Sequence, residues 1–354
     1  MAFTSVNKYT DHFRIKLYTG NSTNNTAITW DESSNMQPDW LWIKNRSEAQ
    51  SHALFDSTRG ANKRFTSNGN GAETTENTNL DSFDTNGFTV DNELIVNGNG
   101  DNMVAWGWKC NGGTTSTNTD GTISSTVQVN STAGFSIVQW TGDGSESATV
   151  GHGLGAKVNC IITRERDGGD WWHNWQTGLS GNSYNLFFNN SDAERAEVGD
   201  GHIKNLDNTT TFGFESSTSN VNAVNHSGIT NIAYCFTEKP GFSKFGSYVG
   251  NGNSSGPFIY TGFKPFFTII KRIDVGNDWN MQDYKRNVNG VDKILQANND
   301  NAENVGGGYK VDKLSNGFKC RESGTETNAD GGTYAYWAFG QSIVGSNNVP
   351  ATAR

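Results

Sequence analysis

Proline is scarce in this chain, with 5 residues in 354, and charge is thin: Asp, Glu, Lys and Arg together make up 18%. An average soluble protein carries about 25%. That balance excludes a highly charged disordered tail. No stretch approaches the ~18 consecutive apolar residues of a membrane-spanning helix, so no membrane insertion is expected. The opening Met-Ala-Phe-Thr-Ser has no basic segment leading into an apolar run, and no secretory leader is expected from it. The four cysteines (Cys110, Cys160, Cys235 and Cys320) form no Cys-x-x-Cys pair and no dense disulfide framework. Buried thiols are expected, with one disulfide left open. None of the six histidines stands as His-x-His or His-x-x-x-His, so a local zinc motif is missing. A net charge of −9 repels a phosphate backbone on average, and no nucleic-acid partner is expected.

What the chain does hold is glycine, 42 residues, and large rings, with 20 Phe and 11 Trp. Its polarity comes from Asn, Ser, Thr and Gly. Gly and Asn tolerate the positive φ of tight turns, and aromatics favour strands, so many short strands are expected. The periodicity agrees. Phe13, Ile15 and Leu17 alternate with Arg14, Lys16 and Tyr18, while Trp40 and Trp42 share a face, as do Trp106 and Trp108. A period of two marks a strand with one buried side. Helical patterning is weak throughout; Asp192–Glu197 could form a single helical turn.

Five landmarks recur three times in one order. The opening strand reads Phe13–Gly20, Phe135–Gly142 and Phe242–Gly250. An apolar strand follows at Trp40–Arg46, Val158–Arg164 and Phe266–Arg272, matched on Ile43, Ile162 and Ile270. Ring-rich segments come next at His52–Asp56, Trp171–Trp175 and Trp279–Tyr284. A turn and strand occupy Thr85–Val90, Thr211–Glu215 and Ser315–Lys319, with Asn86-Gly87 and Asn316-Gly317 as tight-turn candidates. The closing strand is Val104–Trp108, Ile232–Phe236 and Tyr334–Phe339. Repetition on this scale predicts an all-β chain of three tandem β-sandwich or jelly-roll-like repeat units. Their bounds are 1–110, 126–240 and 241–343, with a polar linker at 111–125 and a C-terminal tail at 344–354.

Catalytic motifs are missing from this pattern. Gly151-His-Gly-Leu-Gly155 precedes a strand instead of opening a helix, so it reads as a turn and not a phosphate cradle. No Gly-x-Ser-x-Gly elbow is present. No carboxylate recurs beside a ring at one strand position in all three units, as a paired-acid glycosidase site would suggest. The chain is therefore not expected to be an enzyme, and no cofactor is expected. Surface loops such as Asp167-Gly-Gly-Asp170 leave room for a Ca²⁺ ion. Basic pairs Lys44/Arg46, Arg164/Arg166 and Lys271/Arg272 follow the apolar strand each time and read as polar strand ends, with intersubunit pairing as another reading. The ring-rich segment is the chief candidate site. Trp171, His173 and Trp175 share one face and Trp172 takes the other, so one face must look away from its own core. Trp171, Trp172, Trp175 and Trp279 are candidates for interface packing or for stacking on a glycan.

The text Trp40-Leu-Trp-Ile-Lys-Asn-Arg46, His52-Ala-Leu-Phe-Asp-Ser-Thr-Arg-Gly60, Ser82–Phe88 and Val104-Ala-Trp-Gly-Trp-Lys109 resembles a repeated lectin-like β-sandwich domain of marine bacteriophage virion and tail-fibre-like structural proteins. Asn118–Thr126, Ala133–Val138 and Gly151–Gly155 extend the likeness, which covers residues 10–165 well. The third unit departs from it, with no Arg-Gly after its Trp279 segment. The resemblance implies a virion structural protein assembled in the host cytoplasm, tail-associated as a fibre or attached to one, with a host-surface contact role. Capsid decoration or a head fibre is the first alternative, and a carbohydrate-binding lectin module the second. It further implies other virion proteins as partners, a homo-oligomer (a trimer in the fibre setting) and a host-surface glycan as ligand. It defines no catalytic residue.

Overall fold

The structure is a computed structural model that describes residues 5–196, 199, 201–205, 207–287, 292–305 and 309–342. The tail expected at 344–354 lies outside the described residues. The first third carries β1 (Phe13–Thr19), β2 (Thr26–Thr29), β3 (Trp40–Asn45), β4 (Ala53–Asp56), β5 (Lys63–Arg64), β6 (Thr74–Thr75), β7 (Leu80–Asp84), β8 (Gly87–Val90), the one-turn helix α1 (Leu94–Asn97) and β9 (Asn102–Trp108). The second carries β10 (Ser116–Asn118), β11 (Ser125–Asn130), β12 (Phe135–Thr141), β13 (Thr149–Gly151), β14 (Cys160–Glu165), β15 (His173–Gln176), β16 (Tyr184–Phe187), β17 (Arg195–Ala196), β18 (His202–Lys204), β19 (Thr211–Glu215), α2 (Asn222–Asn225) and β20 (Thr230–Phe236). The third carries β21 (Ser243–Val249), β22 (Phe258–Tyr260), β23 (Phe263–Arg272), β24 (Trp279–Asp283), β25 (Lys293–Gln296), β26 (Asn304–Val305), β27 (Val311–Leu314), β28 (Gly317–Cys320) and β29 (Thr333–Ser342).

The fold is all-β. Each third pairs a larger antiparallel sheet with a small one. The large sheets run β1-β9-β3-β4, then β10-β11-β12-β20-β14-β15-β16-β17, then β21-β29-β23-β24-β25-β26. The small sheets run β2-β8-β7, β13-β19-β18 and β22-β28-β27. In every third the opening strand pairs with the closing strand, and the closing strand pairs with the apolar strand. The apolar strand then pairs with the ring-rich one.

Between the two sheets of each third lies an apolar layer. In the first it includes Trp30, Leu41, Ile43, Phe55 and Phe88. Trp140, Ile161, Phe212 and Phe214 fill the second. Phe263, Ile270, Phe318 and Tyr336 fill the third. These are the residues an alternating strand sends to one side. The other side is buried as well, contrary to the expectation of one buried side. All six residues of β3 are buried. The large sheets of the three thirds turn their remaining faces onto one shared core. It joins Trp40, Trp42, Trp106 and Trp108 to Phe135, Trp172, Tyr234 and Phe236, and to Phe267, Trp279, Trp337 and Phe339. Trp40 stacks on Tyr234 with centroids 4.6 Å apart, and Phe13 stacks on Phe339 at 5.6 Å.

Smaller expectations shift by a residue or so. The hairpin β7–β8 pairs Asp84 with Gly87, so its turn is Thr85-Asn86 and Gly87 opens the next strand. Gly87 has φ +135°, and a Cβ there would sit 2.1 Å from the Ile28 carbonyl oxygen of β2. Arg195 and Ala196 are strand, not part of a helical turn. Gly153 and Gly155 adopt φ of +71° and +65°, so that glycine cluster is a turn. All four cysteines are buried and free.

Candidate functional site

Strand registers match positions across the thirds. Trp40, Cys160 and Phe267 stand opposite Trp108, Phe236 and Phe339 on one side. On the other they stand opposite Asp56, Gln176 and Asp283. The last three receive matched hydrogen bonds from a neighbouring third. Tyr234 Oη donates to Asp56 Oδ2 at 2.7 Å, Trp106 Nε1 donates to Asp283 Oδ2 at 3.1 Å, and Trp337 Nε1 donates to Gln176 Oε1. The direction is cyclic: second to first, first to third, third to second.

A second ring of bonds runs the same way. Trp172 Nε1 donates to the Thr66 carbonyl at 2.9 Å and Trp279 Nε1 to the Phe187 carbonyl at 3.2 Å. His52 Nε2 meets the Gln296 carbonyl at 3.0 Å. Trp42 Nε1 donates to His52 Nδ1 at 2.8 Å, which leaves the imidazole proton on Nε2 for that carbonyl. Trp172 and Trp279 are thus pins between thirds, 1% and 0% exposed.

The recurrent basic residues complete the junctions. Lys44 reaches the Asp300 carbonyl, Arg164 the Gly69 and Gly71 carbonyls, and Lys271 the Ser191 carbonyl, each in the next third. Glu73 sits between Arg59 of its own third and Arg166 of the second, and Glu303 between Arg286 and Arg46 of the first. Burial opposes ionisation of both carboxyls. The paired guanidiniums outweigh it and hold Glu73 and Glu303 below the ordinary glutamate pKa. The junction from third to second differs. The residue whose amide nitrogen is held like that of Glu73 is Glu194, hydrogen-bonded through its backbone to Ile273. Its carboxylate accepts from the Ser180 amide, and apolar Leu179 and Ile273 lie against the shared core.

Trp171 and Trp175 part company with Trp172 and Trp279 in different ways. Trp175 is buried in the second third, its Nε1 donating to the Gly181 carbonyl at 3.2 Å. Trp171 is 39% exposed. It forms the lip of a cleft of ≈190 Å³ lined by Asp170, His173, Phe187, Arg195, Gly201 and Ala223. Three elements position this cleft: β15 brings His173, β16 brings Phe187 directly opposite it, and β17 brings Arg195. Phe187 is its floor. Trp171 meets that ring edge-on at 5.2 Å, His173 meets it edge-on at 5.0 Å, and the Arg195 guanidinium lies 4.6 Å from its centroid. Arg195 also pairs with Asp192.

His173 is 1% exposed, yet neither ring nitrogen meets a partner among the described residues. Burial drives its pKa down to about 3, with His202 and Arg195 adding to the effect. The imidazole is neutral at physiological pH and offers one donor and one acceptor. At the carboxylate loop, Glu165 is raised to about 7, first by burial and then by Asp170 and Asp167. Among the described residues no three His, Cys, Asp or Glu side chains converge to hold a metal ion.

Over residues 8–342 the chain matches the model of a family described as a domain of unknown function, DUF7483, and it belongs to that family. No curated protein and no solved structure matches it.

Proposed function

We propose that this protein is a non-enzymatic structural component of a phage virion, tail-associated as a fibre or attached to one, built from three copies of one sandwich unit and turned towards the host surface. The shared core is the observation that carries the reading. Three sandwiches spend their inward faces, and matched polar pins, on holding one another. The design suits a part that must keep its form unaided, with polar loops left for contacts. The resemblance in residues 10–165 supplies the virion setting, including other virion proteins and further copies of the chain as partners.

Mass spectrometry of purified particles, followed by electron microscopy with an antibody against the chain, tests the reading. Label at the tail is the expected result, and label on the head would move the assignment to capsid decoration or head fibre. Particles without the chain would end it. The lectin reading is favoured by a separate observation, the open cleft at Trp171.

A further inference from the structure

We propose that the cleft formed by Trp171, His173, Phe187 and Arg195 binds a neutral saccharide, with one hexose ring seated against the exposed indole. In naming a ligand class the inference deepens the host-facing reading, and rests on it for its biological meaning. Binding by the purified chain and location in the particle are separate measurements, so either can fail alone.

The frame of the cleft exists in all three thirds, but only the second builds it this way. Register places Trp171, His173, Phe187 and Arg195 where the first third has Ser51, Ala53, Thr66 and Thr74. The third has Asp278, Asn280, Gln296 and Asn304 there. In the third the set satisfies itself: Gln296 Nε2 donates to Asp278 Oδ2 at 2.9 Å and to Asn280 Oδ1 at 3.4 Å. The first third leaves an open hollow lined by Gln50, Ser51, Arg64 and Glu93, with no ring among its lining residues. The second third instead combines an exposed indole with a buried imidazole whose two nitrogens lack partners among the described residues. A buried polar group left in that state demands a partner, and this one lines a cavity open to solvent.

The chemistry of the lining selects the ligand. An indole face with a phenyl floor takes the C–H face of a sugar ring. A neutral imidazole supplies one donor and one acceptor, which suits hydroxyls because each can serve in either sense. An anion is disfavoured. Arg195, the cation in the lining, is already paired with Asp192 and laid on Phe187, and Asp170 contributes a carboxylate at the rim. At ≈190 Å³ the cleft is below the roughly 300–1,000 Å³ of pockets for drug-sized ligands, which suits a single ring at the end of a chain.

The test uses the full chain on an array of immobilised neutral hexose oligosaccharides, with uronic-acid and sulfated counterparts alongside. Retention on neutral elements is expected. It should fall about tenfold or more in Trp171→Ala and in His173→Phe. Ser51→Ala, at the matched position of the first third, should keep parental binding. Trp171 lies at the surface, so Trp171→Ala should keep the parental melting temperature, which separates lost binding from lost fold. No retention on any element, retention only on the anionic ones, or equal binding by Trp171→Ala and the parent would each overturn the proposal.

Discussion

Side chains at the junctions carry more than their share of the architecture. Asp56 and Arg59 are both fully buried and bonded to each other, and Asp56 also accepts from Tyr234 of the neighbouring third. Removing one member of a buried pair strands the other charge, so Asp56→Ala should cost about 3–5 kcal/mol in urea denaturation. Tyr234→Phe leaves Arg59 in place and should cost only about 1–3 kcal/mol. Three buried histidines contribute to the chain's sensitivity to acid. Burial lowers His152 and His202 to about 4 and His173 to about 3. A lowered folded pKa means stability that is complete above the unfolded value near 6.5. It is lost as pH falls from there towards 3–4. The fall in melting temperature over that window should be shallower in His173→Phe than in the parent; equal slopes would show that this imidazole is protonated in the folded state. The rings were visible in the sequence, and Trp172 and Trp279 stood out. Their junction partners did not. Tyr234 and Asp56 are 178 residues apart and Trp106 and Asp283 177 apart, and no periodicity links residues at such distances. The cleft was half legible: Trp171 and His173 share a face on the page, but Phe187 and Arg195 join them only through cross-strand pairing.

At the level of strands, alternation identified the elements and misjudged their surroundings. Leu41 and Ile43 enter one apolar layer while Trp40 and Trp42 enter another. A strand buried on both faces reads as nearly continuous apolar text, and the sequence alone does not say what covers the second face. The sequence landmark at Ile162 lies one residue from its structural counterpart. Register sets Thr163, not Ile162, beside Ile43 and Ile270, since these three face Ala233, Ala105 and Tyr336. A period of two makes such a slip change faces. The hairpin at Thr85-Asn86 offers a local test. Gly87→Ala would combine a positive φ with a backbone overlap against Ile28 and should destabilise by more than about 1 kcal/mol. Gly71→Ala, where a Cβ meets nothing within 4 Å and φ is ordinary, should be close to neutral in the same thermal melt.

For the molecule as a whole, one core shared by the large sheets of all three thirds means that no third can leave without exposing the faces of the other two. Calorimetry should show a single transition with equal calorimetric and van't Hoff enthalpies; two or three resolved transitions would mean that the thirds melt independently. The three junctions are nonetheless unequal in kind. Two carry a buried carboxylate between guanidiniums, at Glu73 and at Glu303. Among the described residues the junction joining the third to the second has no ion pair, and Leu179 and Ile273 lie at its core side. Acid and cold therefore press on different seams. Protons reach the two ionic seams, whose contribution is complete above the ordinary glutamate pKa and fades as pH drops through the lowered values. Chilling weakens apolar association, so near freezing the seam at Leu179 and Ile273 is the one that loosens first.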